Sequence, residues 1–389
     1  MIGPDDGDGD HGDGDHGDGD HDGDHGDGDH DGDRPAATPA VTTGTAGYDK
    51  GFYIRSDDGK FGLRLRGSIQ PFYTLTRTTP GRNDLTGAFE LRRARINLDG
   101  NLHGDHLRYR FQLGFDRGVT LFKDAYLEAH LDGDVWIRAG QWRRPFSRQR
   151  MVSFADLELA DRAITDKAFG AGRDVGIALR NDYEASPPIE WTVGVWNGTG
   201  DGPVAAPSGT APATNVPTEF KPAFIGRVGL NSEGIKAYTE ADLEGGPLRW
   251  AAGASFWAET DFDQDQQSND KVEIDYVLKV NGFSSNGAFY AMTRQAGVHP
   301  LSDQELAYIG FHLQAGYLLT PSFGAAARFA MVAGRADGTI GQQELTIGGT
   351  YYGWGSGAEI VGDLRFLKTG DAGKFTDAIL FELGSNLGF

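Results

Sequence analysis

The chain contains no cysteine, which removes disulfides and thiolate metal centres from the ways it could be held together. That absence fits a protein facing an oxidising compartment, where a stray thiol is a liability. No run approaches the roughly 18 uncharged apolar residues that a membrane-crossing helix needs, so a helical membrane protein is excluded. Membrane-crossing strands are not excluded. Each needs only about 9 to 11 residues and alternates apolar with polar, leaving the average hydropathy as low as a soluble protein's. Residues 1–10 have neither a basic start nor an apolar core, so no secretion signal is visible, and the sequence reads as a processed or truncated form. There is no Gly-x-Ser-x-Gly, no His-Glu-x-x-His and no phosphate-binding loop ending in Gly-Lys-Ser or Gly-Lys-Thr. The expectation is a protein without enzymatic activity or a cofactor.

What is present is 58 Gly, 23 Phe, 13 Tyr and 7 Trp, a turn-rich and aromatic-rich composition. The net charge of −20 misleads until it is divided along the chain. Residues 1–33 hold 14 Asp and no Lys or Arg, leaving −6 for everything else. From Arg55 to Arg180 there are 22 basic and 16 acidic residues, a balance of +6, whereas residues 181–389 carry 12 basic and 25 acidic, a balance of −13. The sign of the charge is segregated along the chain.

Residues 5–33 repeat Asp, Gly and His. They have no apolar side chains to bury and repel one another, so 1–33 is expected to be a disordered low-complexity tail. Residues 34–50 form a Pro/Ala/Thr/Gly linker, and the folded domain is expected over 51–389. Asp18, Asp20, Asp22 and Gly23 match the opening of a calcium loop, as do Asp27, Asp29, Asp31 and Gly32, but the twelfth positions are Asp29 and Thr38 rather than Glu. His11, His16, His21, His25 and His30 are weak candidates for zinc or copper ligands on a flexible chain. The competing reading is a solvated acidic spacer.

From Phe61 onward the dominant period is two, the signature of strands. Leu63, Leu65 and Ile69 alternate with Arg64, Arg66 and Ser68; Ala94, Ile96 and Leu98 alternate with Arg93, Arg95 and Asn97; Leu107, Tyr109 and Phe111 alternate with Arg108, Arg110 and Gln112. The pattern yields sixteen strands, starting near residues 61, 89, 106, 121, 134, 173, 188, 221, 247, 271, 287, 305, 322, 342, 357 and 376. Ile235 to Leu243 would make a seventeenth. It is assigned to a connection, because only then do short turns and longer loops alternate as in outer-membrane barrels. A soluble sandwich also alternates, but so many long strands in one uninterrupted array favour an all-β, 16-stranded antiparallel transmembrane barrel.

The final strand places Ile379, Phe381, Leu383, Leu387 and Phe389 on one parity, which looks like the terminal strand signature of bacterial outer-membrane proteins. Parity also fixes the arginines. An Arg at the lipid midplane costs about 2 to 4 kcal/mol, so Arg64, Arg66, Arg93, Arg95, Arg108, Arg110 and Arg138 must face the lumen. There they form a ladder of guanidiniums suited to oxyanions. Asp116, Asp124 and Glu128 could neutralise Arg108 and Arg110. Acids look scarcer around Arg64, Arg66, Arg93 and Arg95, which makes those four the better candidates for transport.

Phe89 to Gly100 (FELRRARINLDG) and Asp124 to Phe146 (DAYLEAHLDGDVWIRAGQWRRPF) resemble the phosphate-selective porin O and P family, with the match clear over about residues 52–200. The resemblance implies a sixteen-stranded bacterial outer-membrane barrel, usually a homotrimer in lipid. It also implies a third loop folded inward and a basic lumen that passes phosphate and other small inorganic anions, with no nucleic-acid partner. The loop 144–172 is the candidate constriction, with Arg143, Arg144, Arg148 and Arg150 at its start and one or two helical turns expected between Phe154 and Ile164. The other long loop is 198–220. Alternatives are a general-diffusion or sugar-type porin and, more distantly, a membrane-embedded enzyme or structural anchor.

Because the tail has no apolar surface to join a core, deleting residues 1–33 should leave barrel assembly and single-channel conductance within measurement error of the full chain. Loss of assembly in the truncated protein would show that the tail is more than a spacer.

Overall fold

The computed structural model describes residues 45–79, 84–117, 119–170, 172–198, 221–259, 268–295, 306–334, 341–353, 358–371 and 374–389. The Asp/Gly/His tail with its five histidines, most of the 34–50 linker and most of the 198–220 loop lie outside these residues. Two short strands, β1 (Ala46–Tyr48) and β2 (Phe52–Arg55), precede the wall. The wall begins with β3 (Gly62–Thr79), β4 (Asp84–Leu102), β5 (Leu107–Asp116), β6 (Val119–Asp132), β7 (Val135–Arg143) and β8 (Arg173–Arg180). It continues through β9 (Ile189–Trp196), β10 (Ala223–Asn231), β11 (Arg249–Glu259), β12 (Ser268–Val280) and β13 (Phe283–Gln295). It ends with β14 (Leu306–Thr320), β15 (Phe323–Gly334), β16 (Gly341–Tyr352), β17 (Ala358–Asp371) and β18 (Lys374–Gly388).

From β3 to β18 each strand pairs antiparallel with the next, and β18 pairs with β3, closing a barrel of sixteen strands. Closure matters because lipid offers no partner for the backbone groups of an open edge. Every strand start lies within five residues of its expected position, and Ile235 to Leu243 is not a strand. Below the seam, where β18 ends, β2 pairs with residues 62–65 of β3, and Phe389 and Gly67 exchange two backbone hydrogen bonds of 2.9 Å each.

The direction of burial decides between barrel and sandwich. Along β12, Val272 and Ile274 are 52% and 66% exposed, while Glu273 and Asp275 between them are 1% and 3% exposed. Apolar residues outside and carboxylates inside is the reverse of a water-soluble sheet and is stable only with hydrocarbon around it. Register shifts interrupt the simple parity, and two of them lie where they redirect charged side chains. Opposite Gln70/Pro71 the register skips Arg92, so Arg92 and Arg93 both turn inward. Opposite Gln112/Leu113 it skips Lys123, which turns inward beside Asp124.

The lumen is not evenly open. Loop 144–172 crosses it to the far wall as the helix α1 (Arg148–Met151), a single 3-10 turn at Phe154–Asp156 and the helix α2 (Ile164–Phe169). The helical turns therefore flank the expected stretch more than they fill it. The far wall receives the loop with small residues. A methyl group on Gly310 would collide with the Phe169 ring, and one on Gly316 with the Glu158 carboxylate. Acceptors on the wall satisfy the loop's backbone: Ala160 N–H donates to Asp363 (2.9 Å), Ile164 N–H to Glu344 (2.9 Å) and Arg148 N–H to Glu273 (3.2 Å). Phe146, Phe169, Trp142, Trp196, Trp257 and Tyr290 make a dry cluster between loop and wall.

From the other end, residues 232–248 between β10 and β11 also fold inward, burying Ile235, Ala237, Ala241 and Asp242. They meet the loop at Glu240. Its N–H donates to Asp156 O (2.9 Å), its carboxylate accepts from Glu158 N–H (3.0 Å), and Gln314 Nε2 donates to both Glu158 (3.0 Å) and Glu240 (2.7 Å). Burial, then the Glu240 carboxylate, push Glu158 up to about 7. A carboxyl raised on folding from 4.5 to about 7 contributes stability that is full below pH 4.5 and is lost as pH rises through 7. Thermal stability of the barrel, followed by heat-dependent gel mobility, should therefore fall across that window, and Glu158→Gln should flatten the fall. Asp156, raised to about 6 by burial, and other buried lumenal carboxyls will leave a residual slope in the variant. An unchanged slope would show that Glu158 does not titrate there.

Candidate functional site

With the loop and the 232–248 connection filling much of the β9–β16 side, open space remains along β3–β8 and, toward the long loops, between the inward loop and the start of β16 and end of β17. Three adjoining chambers occupy it. The inner one, of about 830 Å³, is lined among others by Arg66, Arg93, Arg95, Arg110, Arg138, Arg143 and Arg173. On the long-loop side a chamber of about 580 Å³ shares Arg93 and Phe154 with it and adds Arg150, Arg162, Lys167 and Arg365. On the short-turn side a chamber of about 510 Å³ shares Arg110, Tyr126, Arg138 and Glu184 and adds Arg55 and Arg108. Phe154 of the loop, with Arg93 of β4, thus stands where the outer space meets the inner one.

Five of the seven ladder arginines, Arg66, Arg93, Arg95, Arg110 and Arg138, line the inner chamber; Arg108 lines only the short-turn chamber. Arg64 lines none of the three and reaches Asp49 at the turn between β1 and β2 (3.6 Å). The expected scarcity of acids near four of them is corrected. Besides Arg64 with Asp49, Arg66 pairs with Asp99, Arg93 with Asp161 across the lumen (3.4 Å) and Arg95 with Asp116 (3.0 Å). Arg108 pairs with Asp182 (3.3 Å), Arg110 with Asp124 (3.5 Å), and Arg138 with Glu128 (3.1 Å) and Glu184 (3.4 Å).

The loop arginines divide. Arg150 faces the outer chamber beside Asp166 (2.9 Å), and Arg143 faces the inner one. Arg144, paired with Asp174 (3.3 Å) and lying over Trp257, and Arg148, held by Asp275 (2.5 Å), Glu190 (3.5 Å) and Ala237 O (3.1 Å), line none of the three chambers. These two anchor the loop to the wall.

The chambers keep a surplus of positive charge. Arg110 and Arg173 share the single carboxylate of Asp124, at 3.5 and 2.6 Å. Arg143 Nη1 donates to the carbonyls of Arg150, Met151 and Val152 (3.0–3.1 Å), and among the described residues no acid pairs with its guanidinium. Arg162 likewise donates to the carbonyls of Gln149 and Val152. Burial, then Arg150, lower Arg162 to about 10, which leaves it charged at neutral pH. Burial opposes ionisation of Asp161, but Arg93, Arg365 and Arg92 bring it down to about 2.

Sequence parity missed Arg92, Arg162, Arg173 and Phe154. Arg92 is hidden by its bulge, and the loop residues obey no period. Arg180 was accessible to the same test, since Ile177 and Leu179 face outward and Arg180 is 1% exposed.

Solved structures with the same fold include an anion-selective porin from Comamonas acidovorans, with 13% identity, a TM-score of 0.56, and 85% of this chain and 100% of that one covered. The outer-membrane channel DcaP of Acinetobacter baumannii matches with 12% identity, a TM-score of 0.60, and coverage of 86% and 99%. OmpT of Vibrio cholerae, in a trimer form, matches with 11% identity, a TM-score of 0.52, and coverage of 85% and 99%. At these identities the likeness shows the fold alone. No curated protein sequence matches significantly. The family model for phosphate-selective porins O and P matches residues 62–339, the greater part of the barrel whose inward arginines and inward loop are described above. The chain therefore belongs to the phosphate-selective porin O and P family and is a channel-forming barrel of the bacterial outer membrane.

Proposed function

We propose that this porin passes small anions, phosphate-type oxyanions among them, by passive diffusion through the three basic chambers of its lumen. The carrying observation is the surplus of guanidiniums that line the inner chamber. Arg143 has only carbonyl partners and Arg110 and Arg173 share one carboxylate, so the inner chamber stays positive although most of its arginines are paired. Ion selectivity follows the local ring of charge rather than the whole-chain balance. In this reading Arg66, Arg93, Arg95, Arg110 and Arg138 form the path with Arg143 and Arg173, Arg108 and Arg150 serve its two mouths, and Arg64 steadies the β1–β2 turn. We further propose that residues 1–33 are a spacer, that 34–50 are a linker, and that the barrel assembles as a homotrimer. The trimer form of OmpT supports the last.

Neutralising Arg64, Arg66, Arg93 and Arg95 together to Gln should do more than weaken selectivity. It releases Asp49, Asp99, Asp161 and Asp116 from their partners and turns the local balance negative. The anion-to-cation permeability ratio from reversal potentials should fall severalfold and approach or cross one. The effect should be largest at low salt, because at 0.15 M the screening length is only about 8 Å. A wild-type ratio near one would favour a general-diffusion pore, and an unchanged ratio in the variant would reduce these arginines to braces of the wall.

A further inference from the structure

The inner chamber carries a feature that inorganic anions do not use. Its basic lining is interleaved with rings: Phe154 from the loop, Tyr126 and Trp142 from β6 and β7, Tyr183 from the β8–β9 turn and Tyr238 from the 232–248 connection. Phosphate and chloride have no apolar surface to place against them.

Where the inner and outer chambers meet, a ring and guanidiniums are already stacked. The Arg93 guanidinium carbon lies 3.2 Å from the Phe154 centroid, and that of Arg162 lies 3.8 Å from it. Two guanidiniums at those heights cannot share one face, so the ring lies between them. Arg93 and Phe154 both line the inner and the outer chamber, so an edge of the stacked pair borders the path. Arg95 stands 5.8 Å from the same ring. Arg143 lines the same chamber, and its Nε and Nη2 have no protein partner among the described residues. A flat surface for stacking and an acid-free guanidinium for a carboxylate therefore face one space of about 830 Å³.

We propose that the inner chamber is a binding site for planar aromatic carboxylates of the benzoate type, the ring stacking against the Arg93–Phe154 pair and the carboxylate pairing with Arg143. Guanidinium planes stack well on aromatic rings and pair bidentately with carboxylates, so one ligand satisfies both. The inference rests on the anion-path reading above and adds to it a preference for flatness over charge alone.

The test is block of the chloride current through the full chain in planar bilayers by benzoate, cyclohexanecarboxylate and acetate at neutral pH. Benzoate and cyclohexanecarboxylate have the same charge and similar bulk, and only benzoate is flat. Benzoate should half-block at a concentration at least fivefold below that of cyclohexanecarboxylate, with acetate weaker still. In Phe154→Leu the benzoate-to-cyclohexanecarboxylate ratio should collapse toward one. A chloride-selective wild-type pore that treats the two ring carboxylates alike overturns this proposal and leaves the anion path standing. A pore without anion selectivity overturns both. A ratio that survives Phe154→Leu overturns the placement at Phe154, and the wild-type comparison decides the matter if that variant does not assemble.

Discussion

A charged side chain on the wall of this protein has only one direction to point. On the lipid side it would cost about 2 to 4 kcal/mol near the midplane, so charges of both signs collect inside, where burial makes each depend on a partner. The result is a set of closed networks. Arg227 holds Glu190 at 3.1 Å and Asp275 at 2.6 Å; Arg148 reaches the same two carboxylates from the loop; Arg328 joins Glu344 at 2.7 Å. Lumenal charge in a barrel thus does two kinds of work, and the difference is whether an arginine's partners are complete.

That distinction follows the segregation of charge along the sequence. The acid-rich carboxyl half supplies Glu273, Glu344 and Asp363 as acceptors for backbone amides of the inward loop. Gly310, Gly316 and Ala330 leave room for it there. The basic half offers long side chains instead of small ones, which meet the loop at Phe154 and Asp161 through Arg93 and leave open space beside that contact. One side of the barrel is consequently packed and the other is wet, so the conducting path is off centre for reasons visible in residue size as well as in charge.

Much of this was legible in sequence because lipid enforces a strict period. The sixteen strands, their alternation of short and long connections, and the inward parity of Arg93, Arg95, Arg110 and Arg138 follow from that period alone. What was hidden breaks it or spans it. A bulge at Arg92 shifts parity by one residue without any local signal. The partner of Arg93 is Asp161, 68 positions away on a loop without period. The 232–248 connection was correctly excluded as a strand, yet nothing in its composition says that Glu240 meets Glu158 inside the lumen. Arg144 and Arg148 look like pore residues because they adjoin Arg143, and only the packing shows that they are anchors.

The seam between β3 and β18 joins residues as far apart as Gln70 and Asn386, 316 positions, through a buried side-chain hydrogen bond of 3.2 Å. Until those two strands meet, every partial sheet, however long, has two open edges, each a template for pairing with another chain. Assembly is therefore all-or-nothing at the ring level. The contact with the greatest loop-closure cost is also the one that removes both edges at once, so a chain waiting for it must be shielded from its neighbours or be placed directly in the bilayer.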